Sequence, residues 1–85
     1  MASDLITNVQ IRAARALLGW DQARLAKEAD VSVITIKRLE AAEDELPGRY
    51  ETVMKVKRAV EDAGVEFLGG GDRIGVVRVN KGRKK

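Results

Sequence analysis

Residues 22–40 read QARLAKEADVSVITIKRLE, and this stretch decides the fold. Leu25, Ala26 and Ala29 lie three or four residues apart, so on a helix they share one face. Ile36 and Leu39 repeat that stripe further along. Only Asp30-Val31-Ser32 separates the two segments, which leaves no room for a longer loop. Ser32 suits an N-cap, because its hydroxyl can accept from the unpaired N–H groups of the helix that follows. Ala26 is small where two sharply angled helices must approach. A helix, a three-residue turn and a second helix at a steep angle make an arrangement that can offer the second helix to a major groove.

Upstream, Met1 to Ile6 lacks periodicity and reads as a loose arm. Thr7-Asn8-Val9-Gln10 has the form of a capping box, with Thr7 at N-cap and Gln10 at N3. The spacing then predicts a helix to about Leu18, with Ile11, Ala14, Leu17 and Leu18 inward and Gly19 ending it. Trp20 is the single tryptophan. It reads as a lid on the core, since one isolated aromatic makes no base-stacking platform. Asp21 caps the helix from Gln22 to about Ala29, and the next helix spans residues 33–42.

Downstream of the acidic run Glu43-Asp44-Glu45, the breaker Leu46-Pro47-Gly48 precedes a fourth helix. That helix starts at Arg49 or Tyr50 and runs to Ala63, with Tyr50, Val53, Val56, Val60 and Ala63 inward and Gly64 closing it. Val65-Glu66-Phe67-Leu68 and Ile74 to Val79 flank Gly69-Gly70-Gly71-Asp72-Arg73 and predict a β-hairpin. A lone hairpin is marginal in water. It must dock on the helices, pair with a second copy or receive a strand from a partner. Pairing with a copy is the favoured expectation. The predicted organisation is mainly α, with a four-helix domain over residues 1–68, a hairpin over 65–79 that serves dimerisation, and a basic tail over 80–85 without regular structure.

The stretch over Gln22 to Glu40 resembles the DNA-binding motif of the Cro/C1-type regulators, a lambda-repressor-like family also called xenobiotic-response-element-type. Gln22 opens the motif, Ala26 follows four residues later, Val31 packs at the turn, and Ile36 and Leu39 are the buried positions of the recognition helix. IRAARALLGW, residues 11–20, matches the family's first helix, and the likeness extends from about Val9 to Leu68. One position departs from the family pattern. The turn residue that is usually glycine is Asp30, at a site that needs positive φ.

The resemblance implies a DNA-binding transcriptional regulator, a repressor in expectation, acting on double-stranded DNA as a homodimer. Carried over by position, Ser32, Val33, Ile34, Lys37 and Arg38 face the base edges. Arg38 is the sharpest candidate, because a guanidinium can bond O6 and N7 of one guanine. Lys37 suits a phosphate contact, and Thr35 can add a hydroxyl to the backbone. Val33 and Ile34 lose hydration on an exposed face unless thymine methyls, a protein partner or, for Ile34, the core itself covers them. Gln22 is placed to meet a phosphate at a helix N-terminus. Arg49 stands where the family commonly meets the second phosphate strand. Arg15 and Glu40 match an ion pair that orients the recognition helix, a structural role.

Composition narrows the alternatives. Eighty-five residues make one small domain. Cysteine and histidine are both absent, so disulfides, thiolate nucleophiles, the usual zinc sites and imidazole catalysis are not expected. No cofactor or metal is implied, and an enzyme is the poorest reading. No apolar run approaches the roughly 18 residues of a membrane span, and no signal-peptide pattern opens the chain, so a cytoplasmic protein is the expectation. The net charge of +3 is unevenly spread. Residues 21–46 hold four basic and seven acidic groups, whereas residues 72–85 hold six basic and one acidic. The segment 21–46 that holds the motif is therefore slightly acidic, which counts against tight nonspecific DNA binding by it alone. The tail run Lys81, Arg83, Lys84 and Lys85 could follow phosphates or serve solubility. A protein-interaction module, such as an antitoxin or an anti-activator that binds a toxin or a larger regulator, is the competing reading. The acidic run, the Val33-Ile34 pair and the hairpin edges motivate it.

Overall fold

Among the described residues, four helices precede one antiparallel hairpin in a mainly α fold: α1 (Asn8–Leu18), α2 (Gln22–Ala29), α3 (Val33–Ala41), α4 (Tyr50–Asp62), β1 (Val65–Leu68) and β2 (Gly75–Arg78). The structure, a computed structural model, describes residues 6–41, 50–69 and 74–79. Ala42, Glu43-Asp44-Glu45, Leu46-Pro47-Gly48, Arg49, the hairpin residues 70–73 and the basic tail lie outside the described residues.

The helix ends follow from single residues. Thr7 Oγ1 accepts from Gln10 N at 3.1 Å while Gln10 Oε1 accepts from Thr7 N at 2.9 Å, a reciprocal capping box. Asp21 Oδ1 accepts from Arg24 N at 2.7 Å and starts α2. Helices α1 and α2 terminate in the same way. Gly19 and Asp30 adopt left-handed conformations at φ 71° and 60°. Beyond them, Trp20 N donates to Arg15 O and Val31 N to Ala26 O, both at 3.0 Å, which reaches back to carbonyls the helix leaves open. Trp20 and Val31 then pack against the core as half-buried side chains. An apolar residue two places past the last helical one is the usual companion of such an ending.

The core brings together Ile6, Ile11, Ala14, Leu25, Ala26, Ala29, Ile36, Leu39, Val56, Val60 and Val65. The three alanines let the helices approach closely. Three expectations are corrected. Ile6 is buried rather than part of a loose arm, and it anchors the chain entering α1. Leu17 and Tyr50 stay exposed, at 37% and 63%. Leu17 lies three residues from Ala14 but its neighbour Leu18 takes the inward place, and Tyr50 sits at the very start of α4, before that helix meets the core.

The hairpin docks on the helices. Its register pairs Val65 with Arg78, Glu66 with Val77, Phe67 with Val76 and Leu68 with Gly75. Val65, Phe67 and Val76 therefore share the face that meets the core. Gln10 Nε2 donates to Leu68 O at 2.7 Å and to Gly75 O at 2.9 Å, and Arg78 Nη1 donates to Leu17 O at 3.0 Å. At the other end, Val79 N donates to Gly64 O at 2.6 Å. Gly64 has φ 106°, and a Cβ there would lie 2.7 Å from Val79 O, a backbone atom that cannot swing aside. Gly64→Ala is expected to lose about 1–3 kcal/mol from strain alone. Thermal unfolding followed by circular dichroism would read a midpoint several degrees lower; an unchanged midpoint would mean that the α4–β1 corner relaxes freely.

Candidate nucleic-acid interface

Helix α3 divides its side chains between core and surface. Ile36, Leu39 and Glu40 point inward and are buried. Ile34, Lys37, Arg38 and Ala41 are exposed, and their spacing of three, four and seven residues places them in one outward stripe. Neither Lys37 nor Arg38 forms an ion pair with another described residue, so both cations are available on that face. Val33 is half-buried and packs against the core, whereas Ile34 stands 62% exposed. Of the two apolar residues that open α3, only Ile34 projects outward.

The start of α3 is built by hydroxyls. Ser32 Oγ accepts from Thr35 N at 3.0 Å, and Ser32 Oγ and Thr35 Oγ1 lie 2.9 Å apart. Ser32 is exposed and Thr35 half-buried at this end. Their mutual bond holds the first turn while leaving oxygen lone pairs toward solvent.

The orientation of α3 is set at Glu40, whose side chain is 4% exposed. Arg15 Nε donates to Glu40 Oε2 at 2.8 Å and Arg15 Nη2 to Oε1 at 2.9 Å, a two-pronged pair between α1 and α3. Arg15 Nη1 also donates to Trp20 O at 3.1 Å. The hydrogen bond to Glu40 raises the Arg15 pKa above the ordinary arginine value, against the opposing effect of burial, with the charges of Glu40 and Asp21 adding to the rise. A raised pKa on a cation contributes stability below the ordinary value and loses it only as pH climbs through the raised one. Arg15 thus stays charged throughout the neutral range.

Glu40 is held by its backbone as well. Its carbonyl oxygen accepts from Arg12 Nη1 at 2.6 Å and from Asn8 Nδ2 at 3.4 Å. A cation beside the last carbonyls of a helix also opposes the negative end of the helix dipole. Reading the sequence missed Asn8 and Arg12. The signal was present in their spacing, since Asn8, Arg12 and Arg15 lie four and seven residues apart on one face of α1.

Gln22 sits at the start of α2, half-buried, with Nε2 donating to Glu40 Oε1 at 3.0 Å. In this arrangement its amide N–H belongs to the Arg15–Glu40 network, and a phosphate would have to draw it away or use the backbone N–H groups of that helix end. The structure therefore brings Arg15, Gln22 and Glu40 together inside, and Ser32, Ile34, Thr35, Lys37 and Arg38 together on the outer side of α3. Arg49 lies outside the described residues. Arg24 stacks over Trp20, its guanidinium carbon 5.0 Å from the ring centroid, and pairs with Glu28 at 2.8 Å.

Among the described residues, no cluster of acidic, histidine or cysteine side chains could hold a metal ion, and no helix is long and apolar enough to cross a membrane. A helix-turn-helix family model matches residues 11–49, which covers α1 from Ile11, all of α2 and α3, and ends at Arg49. That span is narrower than the likeness read from the sequence and leaves the hairpin outside it. Among curated proteins, none matches the chain.

Proposed function

Because the chain belongs, through residues 11–49, to the Cro/C1-type helix-turn-helix family of DNA-binding transcriptional regulators, we propose that it is a homodimeric repressor reading the major groove with α3. The outward stripe of α3 carries this reading. It combines two cations, Lys37 and Arg38, that pair with no described residue, with the Ser32 and Thr35 hydroxyls at the helix start. Arg38 reads guanine through O6 and N7, Lys37 meets a phosphate, and the hydroxyls meet the backbone or a base edge. The backbone N–H groups at the start of α2, or Gln22 once drawn from Glu40, add a phosphate contact, and the family resemblance gives Arg49 another. Arg15 and Glu40 hold α3 at its angle.

The hairpin supports the dimer. Because Val79 N donates to Gly64 O and bonded pairs alternate along the ladder, the backbone groups of Val76 and Arg78 point to the free edge of β2, where no described residue pairs with them. Ile74 and Val77 are exposed before and on β2, at 60% and 41%. A second copy adding its own β2 would cover that edge and give two reading helices, as an inverted-repeat site requires. The same edge favours the second reading, in which a toxin or a larger regulator contributes the strand and DNA binding is autoregulatory.

Fluorescence anisotropy on a duplex from the gene's own upstream region, with a scrambled duplex as control, tests the first reading. At physiological salt, Arg38→Ala is expected to weaken binding to the native duplex by about 5- to 150-fold, the equivalent of about 1–3 kcal/mol. Binding to the scrambled duplex should hardly change. Equal, weak and salt-erased binding to both duplexes by the wild type would sink the reading for this site.

A further inference from the structure

Ile34 is the one large apolar side chain that the outward stripe of α3 exposes, at 62%. The fold does not need it there. Ile36 and Leu39 anchor α3 in the core, and Val33 adds a half-buried contact on the same side. An isoleucine facing water gains no packing and loses side-chain freedom in the helix. Its surroundings describe what could cover it. Lys37 and Arg38 follow one turn later on the same face, and Ser32 and Thr35 place hydroxyls just before and beside it.

That setting does not suit an apolar protein surface. Packing such a surface over Ile34 would remove water from Lys37 and Arg38 without supplying counter-charges, which is costly. A major groove supplies both things at once. Phosphates and guanine edges satisfy the cations, and the C5-methyl of thymine is the groove's own apolar group. We propose, on the footing that α3 is the reading helix, that Ile34 recognises a thymine methyl, so that each half-site carries a T·A pair close to the base read by Arg38. Side chains four apart on a helix are about 6 Å from each other, and successive bases on one strand are about 3.4 Å apart. The thymine therefore lies one or two base steps from the Arg38 position.

The test removes only the methyl. The full chain is first used to select its preferred duplex from a random pool. Each thymine of that duplex is then replaced singly by deoxyuridine, and affinities are measured for the wild type, Ile34→Ala and Lys37→Ala. Burying one methyl corresponds to about 0.8 kcal/mol, or about fourfold in affinity. One position per half-site should show a loss of about that size with the wild type and with Lys37→Ala, and none with Ile34→Ala. Ile34 is exposed, so its replacement leaves the core untouched, and circular dichroism would verify that. A preferred duplex whose thymines are all insensitive to methyl removal would overturn this assignment alone. So would an equal loss with Ile34→Ala. Failure to enrich any sequence would overturn the reading of α3 on which the assignment rests.

Discussion

Arg15→Ala is expected to remove about 3–5 kcal/mol of stability, the cost typical of breaking a buried ion pair from one side. The asymmetry of the pair sets the direction of the argument. Arg15 retains 21% exposure of its side chain, whereas Glu40 retains 4%. Removing Arg15 therefore leaves a nearly dry carboxylate with Gln22 Nε2 as its remaining described donor. Removing Glu40 instead leaves a guanidinium that can still reach water, so Glu40→Gln should cost less. A domain of this size commonly has about 5–15 kcal/mol in all, so the Arg15 variant would lose a large part of it. Urea unfolding monitored by Trp20 fluorescence would report the midpoint. The double replacement Arg15→Met with Glu40→Leu should recover much of the loss, because two apolar side chains impose no desolvation penalty. Recovered stability with DNA affinity still reduced would separate holding the fold from aiming α3. A loss under about 1 kcal/mol for Arg15→Ala would instead mean that Glu40 finds water or another donor, and that the pair does not organise the α1–α3 contact.

Gln10→Leu should be the next most damaging replacement, at about 2–4 kcal/mol. Gln10 is 3% exposed and uses its whole amide. Its oxygen accepts from Thr7 N, and its nitrogen donates to Leu68 O and Gly75 O. Three bonds at about 1 kcal/mol each, with the Thr7 N–H left without its cap partner, give that range. Leucine fits the volume but restores none of these bonds. Because two of the three reach the hairpin, amide hydrogen exchange should accelerate more in β1 and β2 than in α2 and α3. Uniform acceleration across the chain would show that the hairpin and the helices open as one unit. Unchanged exchange in the hairpin would show that Val65, Phe67 and Val76 hold it without Gln10.

Much of this arrangement is legible along the chain because it depends on neighbours in sequence. The capping box at Thr7 and Gln10, the caps at Asp21 and Ser32, and the left-handed endings at Gly19 and Asp30 all involve residues within five positions of one another. Helical periodicity likewise placed Leu25, Ala26, Ala29, Ile36 and Leu39 in the core, as found. Periodicity failed at element ends. Leu17 and Tyr50 fit an inward stripe, yet both stay exposed, while Ile6 lies before any period begins and is buried.

The sequence by itself therefore determined the order of elements and the inward face of each helix, because those are consequences of side-chain spacing and local hydrogen bonding. It also determined that α3 carries hydroxyls at its start and cations about one turn later. Only the tertiary structure decided which of Val33 and Ile34 turns outward, since that depends on where the rest of the core lies relative to the first turn of α3. Only it showed that Asn8, Arg12 and Gln22 join the expected Arg15–Glu40 pair, converging on Glu40 from two other helices. The docking of the hairpin through Gln10 was equally hidden, because its partners lie 58 and 65 residues away. A polar side chain carries no sequence mark of a distant partner; the bond exists only after packing has brought the carbonyls to it, and burial then makes it costly to lose.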